Sequence, residues 1–225
     1  MKTKAVRLYG KDDIRLEEFE LPEIKDDEIL VKVISDSICM STYKLVKQGK
    51  DHKRCPQNVD TNPIILGHEF AGDIVKVGAK WADQFKPGQK FAQQPALNYK
   101  GSLASPGYSY EYFGGACTYC IIPPEVMELG CLLNYDGESY FEASLGEPMS
   151  CIIGGYHANY HTNKQNYNHS MGTKAGGNIL IMGGCGPMGL GAVSYGLYIE
   201  NKPKRIVVTD ISDDKIERAK EVISE

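Results

Sequence analysis

Six residues, Gly184-Cys185-Gly186-Pro187-Met188-Gly189, constrain this 225-residue chain more than any other stretch. They have the G-x-G-x-x-G spacing, follow the apolar run Asn178–Met182 and open a second apolar run over residues 187–199. The first glycine permits a tight turn after a strand, the second lets the backbone approach a pyrophosphate, and the third lets helix pack on strand. The unpaired N–H groups and partial positive charge of the helix N-terminus then suit phosphate. Asp210 follows the run Arg205–Thr209, 21 residues past Gly189. A carboxylate there can accept hydrogen bonds from a ribose and would repel a 2′-phosphate. Gly184, Gly186, Pro187, Met188, Gly189 and Asp210 are therefore candidate dinucleotide-binding residues, with NAD expected over NADP.

The surrounding pattern supports that reading. A proline-initiated helix is expected over residues 148–160. A buried strand (Asn178–Met182), a buried helix (187–199), a second strand (Arg205–Thr209) and an amphipathic helix (Asp213–Ile223) follow. This is β-α-β-α, the repeating unit of a doubly wound parallel sheet. Two parallel strands do not make a covered sheet, so the chain is expected to stop in mid-domain. Residues 178–199 carry no charge, a length that suggests a membrane span, but six glycines and a proline interrupt them. Before Glu147 the chain is β-rich, with runs over residues 5–9, 14–19 and 29–34 and over Phe70–Val77 split by polar turns. Residues 93–115, rich in Tyr, Gly, Ser and Pro, read as a long surface lobe. Two domains are expected, 1–150 and 151–225.

Three chemistry-bearing points stand far apart in the first part: Cys39 in Ile38-Cys39-Met40-Ser41, His68 in Gly67-His68-Glu69-Phe70-Ala71-Gly72, and Glu147 in Gly146-Glu147-Pro148. Together they offer one thiolate, one imidazole and one carboxylate, and catalytic zinc commonly takes three protein ligands. Spacing alone does not pair them, because a lone histidine is as readily a structural one.

Cys39-x-Ser41, the Gly67-His68-Glu69-x-x-Gly72 box, Glu147-Pro148 and the glycine fingerprint, in that order, resemble the zinc-containing medium-chain alcohol dehydrogenase family. The resemblance covers essentially the whole chain. It implies a GroES-like β domain holding a catalytic zinc, followed by the beginning of a Rossmann domain. Glu147, where many members have cysteine, resembles the sorbitol and polyol dehydrogenase branch, in which Glu69 also approaches the metal and Glu147 acts through its bound water. The implied metal residues are thus Cys39, His68, Glu69 and Glu147, with Ser41 and Glu147 as catalytic residues. Zinc would act as a Lewis acid on the reacting oxygen during hydride transfer, and Ser41 would start a proton relay. Where relatives have a relay histidine, five residues past the cysteine, this chain has Lys44. Members with a second, structural zinc carry four closely spaced cysteines, which residues 93–115 lack. Cys117 and Cys120 then read as packed thiols, and one zinc is expected.

The basic run Lys44, Lys47, Lys50, His52, Lys53 and Arg54 reads either as a solvated surface or as an attraction for anions. The stretches 94–99, 106–110 and 37–44 resemble members acting on sugar phosphates. Lys44 and Lys47 are therefore candidate substrate-binding residues, for a sugar or polyol phosphate. A dehydrogenase of an unphosphorylated polyol, of sorbitol or butanediol type, is the alternative, and a non-catalytic NAD-binding fragment another. A net charge of −4 argues against a nucleic-acid partner. Seven cysteines, an odd number, argue against a disulfide framework. With no leader-like segment and no membrane span, a cytoplasmic protein is expected. It is expected to be a homo-oligomer at full length and inactive as 225 residues alone.

Overall fold

The computed structural model describes residues 1–163 and 165–223. The chain divides into two compact units, Met1–Glu147 and Pro148–Glu225. Each is taken separately.

The first unit is built from antiparallel strands. β1 (Lys2–Gly10) pairs with β2 (Asp13–Glu20) from Lys2↔Glu20 to Gly10↔Asp13. β3 (Ile29–Asp36) leads to helix α1 (Met40–Gln48), and β4 (Ile64–Ile65) pairs back onto β1. β5 (Phe70–Val77), β6 (Lys90–Gln93) and β7 (Tyr119–Ile122) are followed by α2 (Pro124–Glu128), β8 (Leu132–Asn134) and α3 (Tyr140–Ser144). The sheet orders are β2-β1-β4 and β7-β3-β5-β6-β8. β3 lies between two neighbours, and its first three residues, Ile29, Leu30 and Val31, are all buried. β2, an edge strand rich in charge, has no buried residue, which keeps that edge in water.

Aromatic packing fixes the core of this unit. The Phe70 ring meets Phe91 at 6.0 Å and Phe113 at 5.8 Å, both edge to face. All three are essentially inaccessible, and burying each ring contributes about 2–3 kcal/mol. Phe113 corrects the reading of residues 93–115 as a surface lobe. Pro95, Leu97, Ser105, Tyr108 and Phe113 are buried there, although past the end of β6 only one short 3-10 turn, Tyr99–Gly101, is regular. An irregular segment can fill a core when its side chains are large and its backbone is locally bonded, as Ser105 Oγ shows by donating to the Pro95 carbonyl at 2.7 Å.

The unit boundary falls inside α4 (Gly146–Ala158). α4 ends two residues before the expected 160, and in the second unit β9 (Tyr160–Thr162) and β10 (His169–Met171) then form an antiparallel hairpin that no expectation covered. β11 (Asn178–Met182), α5 (Pro187–Tyr198), β12 (Arg205–Thr209) and α6 (Asp213–Ile223) complete the β-α-β-α order. β11 and β12 are parallel, in register from Asn178↔Arg205 to Met182↔Thr209. The charge-free stretch is thus a strand, a turn and a helix, and among the described residues no helix is long and apolar enough to cross a membrane.

Burial in β11 and α5 is less complete than expected. Leu180, Met182, Met188 and Tyr198 are exposed. Among the described residues β11 pairs only with β12, so one set of its alternating side chains has no neighbouring layer. The covered face of α5 meets α4, where the Tyr156 hydroxyl donates to the Ala192 carbonyl and its ring stands edge-on to Tyr195.

Candidate metal centre and dinucleotide turn

Cys39 caps the N-terminus of α1, and His68 and Glu69 lie just before β5. Gly67 makes the entry to that box feasible. Its φ is +85°, and a Cβ there would overlap the Asp36 carboxylate and crowd the Ala116 backbone N. The sulfur of Cys39, a ring nitrogen of His68 and a carboxylate oxygen of Glu69 all lie within 4.8 Å of one another. Among the described residues no other such group of three forms. His68 and Glu69 are 5% exposed, whereas Cys39 is partly open.

Neighbouring groups orient these donors. The His68 Nε2 faces Glu69 Oε1 at 3.8 Å, and Thr42 Oγ1 stands 3.5 Å from Nδ1. Gln93 Nε2 donates to the His68 carbonyl at 2.9 Å. The Glu69 N–H donates to Asp36 Oδ1 at 3.2 Å, and the Ser37 N–H to the Glu69 carbonyl at 2.9 Å. Ser41 Oγ donates to Cys39 Sγ at 2.9 Å and lies 3.4 Å from His68 Nε2. Tyr108, in turn, donates to Ser41 Oγ at 2.5 Å.

The electrostatics are those of a site short of positive charge. Burial raises the Cys39 thiol, against the bonds from Ser41. Burial lowers His68, against the pull of Glu147. Glu69 is pushed up to about 7 by burial, with a hydrogen bond and the charge of Glu147 adding to the rise. Asp36, buried behind the box, is also raised to about 7 by desolvation. Glu147 therefore stands against Glu69 and acts on His68, although it is not among the three donors within 4.8 Å. A tetrahedral zinc ion, with bonds of about 2.0–2.3 Å, holds its ligands within roughly 4 Å of each other. The thiol, imidazole and carboxyl set fits such an ion, whose charge would favour the thiolate and carboxylates that burial disfavours.

In the second unit, the φ, packing and openness of the glycine turn differ position by position. A Cβ on Gly189 would overlap the Gly184 backbone, whereas one on Gly186 would meet nothing within 4 Å. Gly186 caps α5, and Pro187 sits in its first turn. The opening that a phosphate needs is therefore at the second glycine. Asp210 Oδ2 accepts the Cys185 N–H at 3.2 Å, while Oδ1 accepts those of Ile211 and Ser212. The acid binds the turn to the end of β12.

Sequence reasoning missed Tyr108, Asp36 and Gln93. Tyr108 and Gln93 reach the centre from distant segments, Asp36 lies three residues before Cys39, and none carries a local motif. Cys117 and Cys120, by contrast, sit where packed thiols belong: Cys120 is fully buried in β7 and Cys117 Sγ donates to the Gly114 carbonyl. Lys47 is paired with Asp12 at 2.8 Å, while Lys44 is exposed.

Residues 25–133 match the model of the alcohol dehydrogenase GroES-like domain. Over 222 residues the chain is 52% identical to mannitol-1-phosphate 5-dehydrogenase of Aliivibrio fischeri, covering 99% of this chain and 52% of that protein. It is 49% identical over 218 residues to L-sorbose 1-phosphate reductase of Klebsiella pneumoniae, covering 97% and 53%. The chain thus spans about half the length of the curated relatives it matches. Its fold is shared with a protein described as a zinc-binding dehydrogenase of Sinorhizobium meliloti, solved with NADP bound. The TM-score is 0.76 at 24% identity, over 99% of this chain and 60% of that one.

Proposed function

Starting from a chain whose residues 25–133 belong to the alcohol dehydrogenase GroES-like domain family, we propose that the protein is a zinc-dependent polyol-phosphate dehydrogenase. It exchanges a hydride between a nicotinamide dinucleotide and a secondary alcohol or ketone of a sugar or polyol phosphate. The observation that carries this is the convergence of Cys39, His68 and Glu69 within 4.8 Å. The relatives named for mannitol 1-phosphate and L-sorbose 1-phosphate support the substrate class.

Cys39, His68 and Glu69 would hold one zinc ion, with Glu147 beside Glu69. Bound there, zinc supplies Lewis-acid polarisation of the reacting oxygen. Thr42 and the Gln93 amide keep the His68 ring and backbone in place. Ser41 exchanges a proton with the reacting oxygen, and the Tyr108 hydroxyl, donating to Ser41 Oγ, holds that serine in position. Glu69, pushed up to about 7 by burial and by its hydrogen bond with Glu147, is suited to hold a proton near neutrality. Gly186 and the start of α5 receive the pyrophosphate, and Asp210 favours NAD over NADP.

Zinc content and turnover together test this. The expected result is one zinc per chain, and oxidation of mannitol 1-phosphate or D-glucitol 6-phosphate at least 10-fold more efficiently than the free hexitols. A protein without zinc, or one indifferent to the phosphate, would refute it.

A further inference from the structure

The basic residues between Lys44 and Arg54 are not equivalent. Lys47 is bound by Asp12 at 2.8 Å and Lys50 by Asp60 at 2.9 Å. Among the described residues, Lys44, Lys53 and Arg54 have no carboxylate partner. Of these, Lys44 and Lys53 are exposed, but Arg54 is half-buried. Its Nε is fully covered and has no hydrogen-bond partner. A covered N–H of a guanidinium bears its full desolvation penalty until an acceptor reaches the group.

Arg54 also stands beside the metal centre. Its guanidinium carbon lies 5.2 Å from the centre of the Tyr108 ring, and the His68 ring lies 5.0 Å from that same centre. The His52 ring stacks on Tyr108 at 5.4 Å. The charges that act on His52 are those of Arg54, Lys44 and Lys53, so three cations converge on one imidazole. Arg54 also borders a cavity of about 120 Å³ lined with Pro95, Leu97, Ser102 and Ser105. A cation short of acceptors, next to a cavity and sharing an aromatic neighbour with a metal ligand, is placed to take the anionic end of a substrate.

We infer that Arg54 binds the phosphate of the polyol-phosphate substrate, with Lys44 and Lys53 supplying the surrounding positive field. The inference rests on the sugar-phosphate reading above. A guanidinium presents parallel N–H groups that match two phosphate oxygens, which the point charge of a lysine does not. Lys47 and Lys50 are left out because Asp12 and Asp60 already hold them.

The test compares wild type, Arg54→Lys, Arg54→Gln and Lys50→Ala in the zinc- and cofactor-loaded enzyme. The first readout is the ratio of kcat/KM for D-glucitol 6-phosphate to that for D-glucitol. The second is binding of inorganic phosphate, followed by phosphorus NMR without turnover. Arg54→Gln should lower the ratio by about 10- to 100-fold and abolish phosphate binding. Arg54→Lys should keep part of both, and Lys50→Ala should leave the ratio within about 2-fold. A ratio unchanged in Arg54→Gln, or phosphate binding equal to wild type, overturns the inference. A wild-type enzyme indifferent to the phosphate would instead sink the substrate reading, while phosphate binding lost on Arg54→Gln would still mark the anion site. Thermal melting of each variant separates a folding defect from a binding one, and the lysine variant carries the test if the glutamine variant unfolds.

Discussion

The Tyr108 hydroxyl donates to Ser41 Oγ at 2.5 Å, across 67 residues of chain. Ser41 in turn bonds the Cys39 sulfur, so two hydroxyls run from one metal-ligand candidate to a buried ring. Tyr108→Phe keeps the ring against His52 and His68 and removes only the donor. In the active enzyme kcat should fall about 10- to 100-fold with a smaller change in KM. Steady-state kinetics on the phosphorylated polyol decides it, and an unaltered kcat would show that Tyr108 does not position Ser41.

Metal retention should depend on residues that do not touch the ion. Thr42 faces the outer nitrogen of His68, so Thr42→Val is expected to weaken zinc binding about 10-fold, while His68→Ala should lose it altogether. Competition with a chromophoric chelator measures both. Equal affinities in Thr42→Val and wild type would show that the threonine orients nothing.

Asp36 makes the metal-free protein sensitive to pH. Its folded-state value, about 7, lies above the unfolded value of 3.8. The sign follows from proton binding: the folded state holds the proton more tightly, so this stabilisation is complete below pH ~4. It is lost as pH rises through about 7. Asn at this position still accepts the Glu69 N–H but cannot ionise. Between pH 5 and 8, Asp36→Asn should therefore lose about 1–2 kcal/mol less stability than wild type. Urea titrations of the apo forms at the two pH values would expose a parallel response, which would contradict the assignment.

The second and third glycines of the turn should separate folding from cofactor binding. An alanine at Gly189 overlaps the Gly184 backbone, which predicts a loss of about 1–3 kcal/mol in stability. At Gly186 the space is free of protein atoms, so alanine should leave the melting temperature nearly unchanged and weaken NAD binding about 10-fold or more. Calorimetry together with cofactor titration distinguishes them. Similar behaviour of both variants would mean that the turn does not approach the pyrophosphate as proposed.

Periodicity carried the second unit well: β11, β12 and α6 begin and end where the apolar runs and the helix-starting Asp213 put them. It failed where structure depends on partners. β4 has two residues and exists because Arg7 and Leu8 lie opposite it. The β9–β10 hairpin has no alternation of apolar residues to reveal it, since all six of its residues are exposed. At the candidate centre, the Gly-His-Glu box and Cys39 were legible as motifs. Tyr108 was not, because tyrosines are frequent in residues 93–115 and only the folded chain selects one of them. The basic run was legible as a charge excess, but which of its members are neutralised depends on Asp12 and Asp60, which are not part of it.

The end of β3 joins Glu69, the segment before Glu147 and Cys39 to one short piece of backbone. Ser35 and Ser37 bond Ser144, close to Glu147, while Asp36 and the Ser37 N–H hold the two ends of the Glu69 peptide. Cys39 follows two residues later. Segments remote along the polypeptide are thus sutured to a single anchorage and drift with it. Breathing of the sheets would carry the ligands along as one body, sparing their mutual spacing even when the surrounding strands flex.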